Sequence, residues 1–239
     1  MKKWDLALLG LAVACGGIFL SSLDKLWPVP DLDLEIPPKT LFDIAEDHED
    51  AVDARLRDWD WSTQLSLDEP ALSWLERTRG PYDLRRLLRG GLPVYQHEIL
   101  FKRRGSPEAI TFWIHPNTGL LGWRRTIEDD EPGDQVDSAM ALNLASRAIE
   151  ENLDYDLSTW TLRGHEMRRL QERTDNHFVF ERAVEPGSNV LERLAIDVAG
   201  ITVREVHKSL VVPPAFLRTE RKRHFPELFL QSLALTLFA

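Results

Sequence analysis

The run of apolar and charged positions divides the chain into unlike parts. From Leu6 to Leu23 the sequence reads LALLGLAVACGGIFLSSL without a charge. As a helix at about 1.5 Å per residue this run reaches about 27 Å, close to the thickness of a bilayer's hydrocarbon core. Trp4 and Trp27 bracket it, the placing of an aromatic belt at two membrane interfaces. Lys2 and Lys3 precede it, whereas Asp24 and Lys25 nearly cancel behind it. The positive-inside rule therefore predicts a transmembrane anchor over residues 1–27, with a cytoplasmic N-terminus and an extracytoplasmic remainder. Two other readings stay open. A cleaved signal peptide also starts basic and continues apolar, although its apolar part is usually shorter. Leu11-Ala12-Val13-Ala14-Cys15 resembles a lipoprotein processing box, with Cys15 as the lipid-carrying residue. All three export the remainder of the chain.

Behind the anchor, residues 28–39 begin PVPDLDLEIPP, which its prolines keep from being helical throughout, and read as an extended linker. A helical period then appears: Ile44, Ala45, His48, Ala51 and Val52 share one face, and Met140, Ala141, Leu144, Arg147 and Ala148 repeat the spacing later. Thr40 and Ser138 are candidate N-caps. Each helix precedes a related hexapeptide, Asp58-Trp59-Asp60-Trp61-Ser62-Thr63 and Asp154-Tyr155-Asp156-Leu157-Ser158-Thr159. Helix termination and docking of the aromatic ring account for this motif. Calcium binding does not, because the glycine turn and further ligands of a calcium loop are missing.

Downstream of each copy the period changes from helix to strand. Ile110 to Arg125 reads strand, turn, strand around Pro116, Asn117 and Gly119, and Leu194 to Val206 reads the same way around Gly200. His177-Phe178-Val179-Phe180-Glu181-Arg182 alternates as a further strand. The expected fold class is therefore α+β, with two tandem units over 40–130 and 131–217, each a helix packed on an antiparallel sheet. The first unit carries a longer middle region from Leu65 to Leu92, whose Arg-rich piece from Tyr82 to Arg89 reads as a solvated helix. Residues 218–239 hold a basic flank (Arg218, Arg221, Lys222, Arg223) and LFLQSLALTLFA, which reads as the start of a second hydrophobic segment.

Composition changes this picture little. The formal charge of −10 repels phosphate backbones and argues against nucleic acid as a partner. The single cysteine, Cys15, excludes a disulfide framework and a thiolate metal cluster.

The second unit carries a resemblance. Glu131-Pro132-Gly133 precedes its helix. Arg173-Thr174-Asp175-Asn176-His177-Phe178-Val179-Phe180-Glu181 comes after it, then Arg193-Leu194-Ala195-Ile196-Asp197-Val198-Ala199-Gly200 and Val211-Val212-Pro213-Pro214-Ala215-Phe216. This order resembles the N-terminal extracytoplasmic region of bacterial CPBP-family intramembrane metalloproteases, relatives of the CAAX prenyl proteases, and the helix-plus-sheet units look like PepSY and cystatin-like domains. The likeness covers residues 105–225 well and the earlier part loosely. It implies an accessory region, with family chemistry in later membrane helices that hold a zinc-activated water and a Glu-Glu-x-x-x-Arg motif.

The chain itself shows none of that chemistry. Glu150-Glu151 lacks the following arginine, and His97-Glu98 and His165-Glu166 lack a second histidine four residues after the first, where Phe101 and Arg169 stand. No Gly-rich phosphate loop and no nucleophile elbow is present. The expectation is no catalytic, cofactor-binding or metal-binding residue in residues 1–239, zinc belonging only to the part that the resemblance implies. The partners expected are membrane lipid and either a peptide or protein ligand or the parent protease's own membrane domain. The expected function is regulation or substrate recruitment for such a protease; the alternative is a stand-alone anchored or lipoprotein binding module.

Overall fold

The computed structural model describes residues 15–17, 32–126, 128, 131–153 and 155–220. The expected anchor and the hydrophobic run after Leu228 fall outside these, except for the helical residues 15–17. Among the described residues no helix is long and apolar enough to cross a membrane.

In chain order the elements are α1 (Pro38–Glu46), α2 (Glu49–Val52), β1 (Asp60–Leu67), α3 (Glu69–Thr78), α4 (Pro81–Arg89), β2 (Tyr95–Lys102), β3 (Ala109–His115), β4 (Gly119–Arg125), α5 (Ser138–Asn152), β5 (Thr161–Arg169), β6 (Thr174–Ala183), β7 (Leu191–Ala199) and β8 (Thr202–Leu210). The strands form from alternation: Tyr95, His97, Ile99 and Phe101 of β2 are buried while the residues between them are not. The β3–β4 and β7–β8 turns each use a glycine in the left-handed region, Gly119 at φ +88° and Gly200 at +57°.

All eight strands join one antiparallel sheet, in the order β1-β2-β3-β4-β8-β7-β6-β5. The second four strands mirror the first four, so the halves meet last strand to last strand. The seam is short, with Trp123 opposite Val206 and Arg124 opposite Glu205. Gly122 permits it: a Cβ there would lie 2.0 Å from the Val206 carbonyl oxygen. One core crosses the seam. Leu41, Ala45 and Val52 from the first half and Ala141, Ala145 and Ile149 from the second pack in a single cluster with Phe101, Phe112, Trp123, Phe178 and Ile196.

Several sequence expectations shift at this point. The α5 face centres on Ala141, Ala145 and Ile149, whereas Met140 and Arg147 are exposed. Its N-cap is Asp137, whose carboxylate accepts from the Met140 N–H at 2.8 Å, and Ser138 is the first helical residue. The α1 helix starts before Thr40, at Pro38, where the missing proline N–H costs nothing. The structural repeat also runs in a different register from the hexapeptides. Leu56-Arg57-Asp58-Trp59 and Leu157-Ser158-Thr159-Trp160 occupy matching places, each a 3-10 turn leading into an edge strand. Leu56 and Trp160 are buried, and Trp59 and Leu157 pack against the same core. The aspartates therefore differ in task. Asp156 caps the second 3-10 turn through the Ser158 N–H, while Asp60 pairs with Arg104.

The middle insertion is packed rather than solvated. Leu84, Leu87 and Leu88 of α4 join Trp74 and Leu75 of α3, and this second cluster also takes Tyr95, Val190 and Leu210 from the ends of β2, β7 and β8. Three arginines tie it to the second half. Arg79 donates to Ser188 Oγ at 2.9 Å and Asn189 Oδ1 at 2.8 Å, Arg86 bonds Glu185 at 2.5 Å, and Arg77 bonds Glu220 at 2.6 Å. The segment expected to be a linker is docked too. Leu32 is buried in the second cluster, Leu34 packs on it, and Ile36 packs on the first, with Asp33 and Glu35 facing solvent.

Candidate functional site

Among the described residues the sheet is covered on one face only, so three places could meet a partner: its open face, the polar belt between the two cores, and its edges.

On the open face charges are already matched across strands. Arg124 bonds Glu205 bidentately at 2.8 and 2.7 Å across the seam, Arg193 bonds Glu181 at 2.7 Å, and Asp197 is shared by His177 and by Arg204 at 3.5 Å. Trp113 is buried there beneath Arg124 and beside His207, whose ring centroid lies 4.4 Å away. Burial lowers the pKa of His207. A recess of about 330 Å³ beside Asp175, His177, Asp197 and Arg204 is lined by this same set of paired groups. Cross-strand pairing of this kind suits a solvated face.

Between the cores lies a buried belt. Glu192 accepts from Arg182 at 2.9 Å and from Lys208 at 2.6 Å, and Lys208 also donates to the Gly91 carbonyl at 3.2 Å. Tyr155 and Trp160 roof the belt, with the Arg182 guanidinium 4.3 Å from the Trp160 centroid. Burial lowers the Lys208 pKa against the pull of Glu192. Burial, then Glu192, pushes the Tyr155 phenol up to about 12. Burial, then the Lys208 charge, pushes the His115 imidazole down to about 4, and its Nδ1 accepts from the Asn117 and Thr118 N–H groups. Glu192 and Lys208 are buried and bonded to one another, with Arg182 31% exposed at the rim, which makes the belt an internal joint between the insertion and the sheet.

The residues singled out by sequence fall in separate places. His97 is buried on β2, with Glu98 pointing the opposite way and accepting from Gln64 at 3.0 Å. His165 stands on β5, stacked 4.6 Å over Phe178, and Glu150-Glu151 lie at the end of α5. Neither His-Glu pair is helical, so neither can present a zinc-binding helical face. Among the described residues no cluster of three or more His, Cys, Asp or Glu side chains is placed to hold a metal.

Some of the residues that carried the resemblance converge, as a latch at one end of the sheet, whereas Val212 and Phe216 pack in the second cluster at the other end. The Arg173 guanidinium is buried, donates to Asp175 at 2.7 Å, and gathers the carbonyls of Glu131 at 2.6 Å and Glu128 at 3.2 Å. Gly133 lies against its side chain, where a Cβ would come within 2.9 Å of Arg173 Cδ, and a Cβ on Gly200 would come within 2.8 Å of the Asp134 nitrogen. The motif thus ties the segment joining the two halves onto the β7–β8 turn. Its role is architectural.

The edges remain, and they differ. β5 carries Arg163, His165, Glu166, Arg168 and Arg169 and has a register shift between Leu162 and Gly164, the usual guards of an exposed strand. β1 has neither. From Trp61 to Leu67 it is uncharged, unbulged and free of proline, and it pairs with β2 over eight residues. Trp61, Leu65 and Leu67 point to the helix-covered face yet stay 41%, 47% and 39% exposed. Trp61 stands 5.5 Å from Phe42 and Phe42 stands 5.8 Å from Phe101, so the apolar surface of the edge continues into the core. Sequence reasoning missed this strand. Its signal is the alternation of Trp61, Thr63, Leu65 and Leu67 with Ser62, Gln64 and Ser66.

Among the described residues the fold is a mixed α+β protein with one half-covered, eight-stranded antiparallel sheet whose β1 edge is uncharged and apolar-faced from Trp61 to Leu67. No protein-family model matches the chain, and no curated protein does. Among solved structures it is similar to the Bacillus megaterium YpeB C-terminal domain, with a TM-score of 0.41 and 8% identity over 72% of this chain and 63% of that one. The chain thus spans less than two thirds of the length of that neighbour.

Proposed function

We propose that this chain is a membrane-anchored, extracytoplasmic binding module that captures an extended polypeptide by adding it as a ninth strand beside β1. The unguarded edge carries this reading. An added strand would satisfy the outward backbone groups of β1, while alternate apolar side chains would cover Trp61, Leu65 and Leu67. The uncharged run from Leu6 to Leu23 supports anchoring. Each half, a helix on four antiparallel strands, is in keeping with PepSY or cystatin-like units, and the motif order from Glu131 to Phe216 supports a CPBP-like intramembrane metalloprotease as the machinery served. In that setting the module recruits substrate, and chemistry and zinc belong to the protease helices. In a stand-alone module the edge works the same way.

The test is selection from a random peptide library displayed on phage, against the full chain in lipid nanodiscs. The reading expects binders that alternate apolar and polar residues, and their loss when Leu65→Lys places a charge on the edge. Binders indifferent to Leu65→Lys would overturn it. Side-by-side pairing of two copies through β1 would appear as a dimer that the same substitution dissolves, and would replace peptide capture by self-association.

A further inference from the structure

The second core cluster marks one pole of the molecule. Both routes from the fold toward an apolar run leave from it. Leu32, nine residues after the end of the Leu6–Leu23 run, is buried in that cluster, and Phe216, twelve residues before Leu228, packs against it. At no more than about 3.5 Å per residue the two connections reach at most about 32 and 42 Å, and of the two ends of the sheet this pole is the one from which both depart. One stretch of the pole also inverts the charge of the chain locally, although Glu69, Glu76, Glu185 and Glu220 lie on the same pole. Residues 77–89 hold five arginines and one aspartate in a chain of net charge −10, and Arg218, Arg221, Lys222 and Arg223 follow Phe216 in the sequence. At the start of α4, Tyr82 is 81% exposed, the most exposed large apolar side chain among the described residues. A tyrosine ring amid arginines is the side-chain chemistry of a membrane interface, where the ring enters the headgroup layer and guanidiniums meet phosphates.

We infer that the α3–α4 pole rests on the bilayer surface and docks there on anionic phospholipid headgroups. The inference rests on the anchored reading of the chain and adds an orientation to it. Arg86 fits this double duty: it is bonded to Glu185 and still leaves its side chain 55% exposed. Lying on the membrane, the pole sets the strands running away from the bilayer. Their far ends, at the β5–β6 turn, stand about 25 Å higher, by eight residues at about 3.3 Å each. The β1 edge then stands upright over the membrane, where an extended segment emerging from the lipid can run alongside it.

The experiment uses the full chain with Cys15→Ala and a nitroxide label at either Tyr82→Cys or Gln171→Cys, the latter at the far pole. The chains are reconstituted in vesicles of phosphatidylcholine alone or mixed with phosphatidylglycerol. The inference expects a several-fold loss of collision between label 82 and an aqueous nickel chelate in the anionic vesicles. That loss is reversed by molar salt, while label 171 stays water-accessible throughout. Equal accessibility of 82 and 171 in anionic vesicles would overturn the docking while leaving the anchor intact. A chain that fails to float with either vesicle would overturn the anchor and the docking together. If label 82 is protected equally in zwitterionic vesicles and is insensitive to salt, anionic recognition is refuted.

Discussion

Arg173→Met tests the latch. The substitution keeps most of the aliphatic stem and removes the guanidinium. Three partners lose it: the Asp175 carboxylate at 2.7 Å and the carbonyls of Glu131 and Glu128 at 2.6 and 3.2 Å. The carbonyls belong to a segment whose residues 131–135 are exposed, so water can replace those two bonds at little net cost. Asp175 is only 9% exposed, and its next cation, Arg204, is 4.0 Å away. A charge-assisted bond to a buried carboxylate is worth about 1.5–3 kcal/mol, and a carboxylate left short of a partner adds to that. The expected cost is about 2–4 kcal/mol, or roughly 5–12 °C in melting temperature for a chain of this size. The natural control is Arg193→Met, which removes a similar ion pair, with Glu181, from the open face where the arginine is 45% exposed. It should cost less than about 1 kcal/mol. Both are measured by urea unfolding of the full chain in mild detergent, monitored by tryptophan fluorescence. If Arg173→Met costs no more than Arg193→Met, the latch holds nothing.

Gly122→Ala places a methyl 2.0 Å from the Val206 carbonyl oxygen, and since backbone must move it should cost about 3 kcal/mol and open the seam, read as earlier amide exchange at Trp123 and Val206 than elsewhere in β4 and β8. Lys208→Met leaves Glu192 with Arg182 alone and the Gly91 carbonyl without its donor, so a loss of about 2–4 kcal/mol is expected, with amides of the α3–α4 insertion exchanging first. Because His115 titrates at about 4 in the fold and near 6.5 when unfolded, falling pH adds a proton to the unfolded chain first, and stability drains between those values. His115→Asn should flatten that acid limb by up to one proton, recovering as much as about 3 kcal/mol at its foot, as measured by unfolding at stepped pH.

The buried interior was well marked in the sequence. β3, β4, β7, β8 and α5 carry regular apolar periods, because a core that covers one face writes its own period into the chain. The features that were missed lie where two demands share one stretch of sequence. β1 is half covered, so its polar outer face hid a strand whose inner positions are Trp61, Leu65 and Leu67. The pair His97-Glu98, by contrast, reads from the sequence as surface or strand residues, and it is an inward and an outward residue of β2. Arg86 of α4 reads as solvated because its partner, Glu185, lies about a hundred residues away. The repeat was visible but misaligned, since Asp, Ser and Thr recur for local turn reasons whereas the Leu-x-x-Trp pair is held by the core. The edge as a site was not legible at all, because openness belongs to the strand order.

The most direct measurement on the central claim is amide hydrogen exchange of the full chain in nanodiscs, with and without a peptide recovered from the library selection. Strand addition predicts that the outward-pointing amides of Trp61 to Leu67 gain protection while those of β5 stay unchanged. Protection appearing at β5 or on the open face, with β1 unaltered, would contradict it.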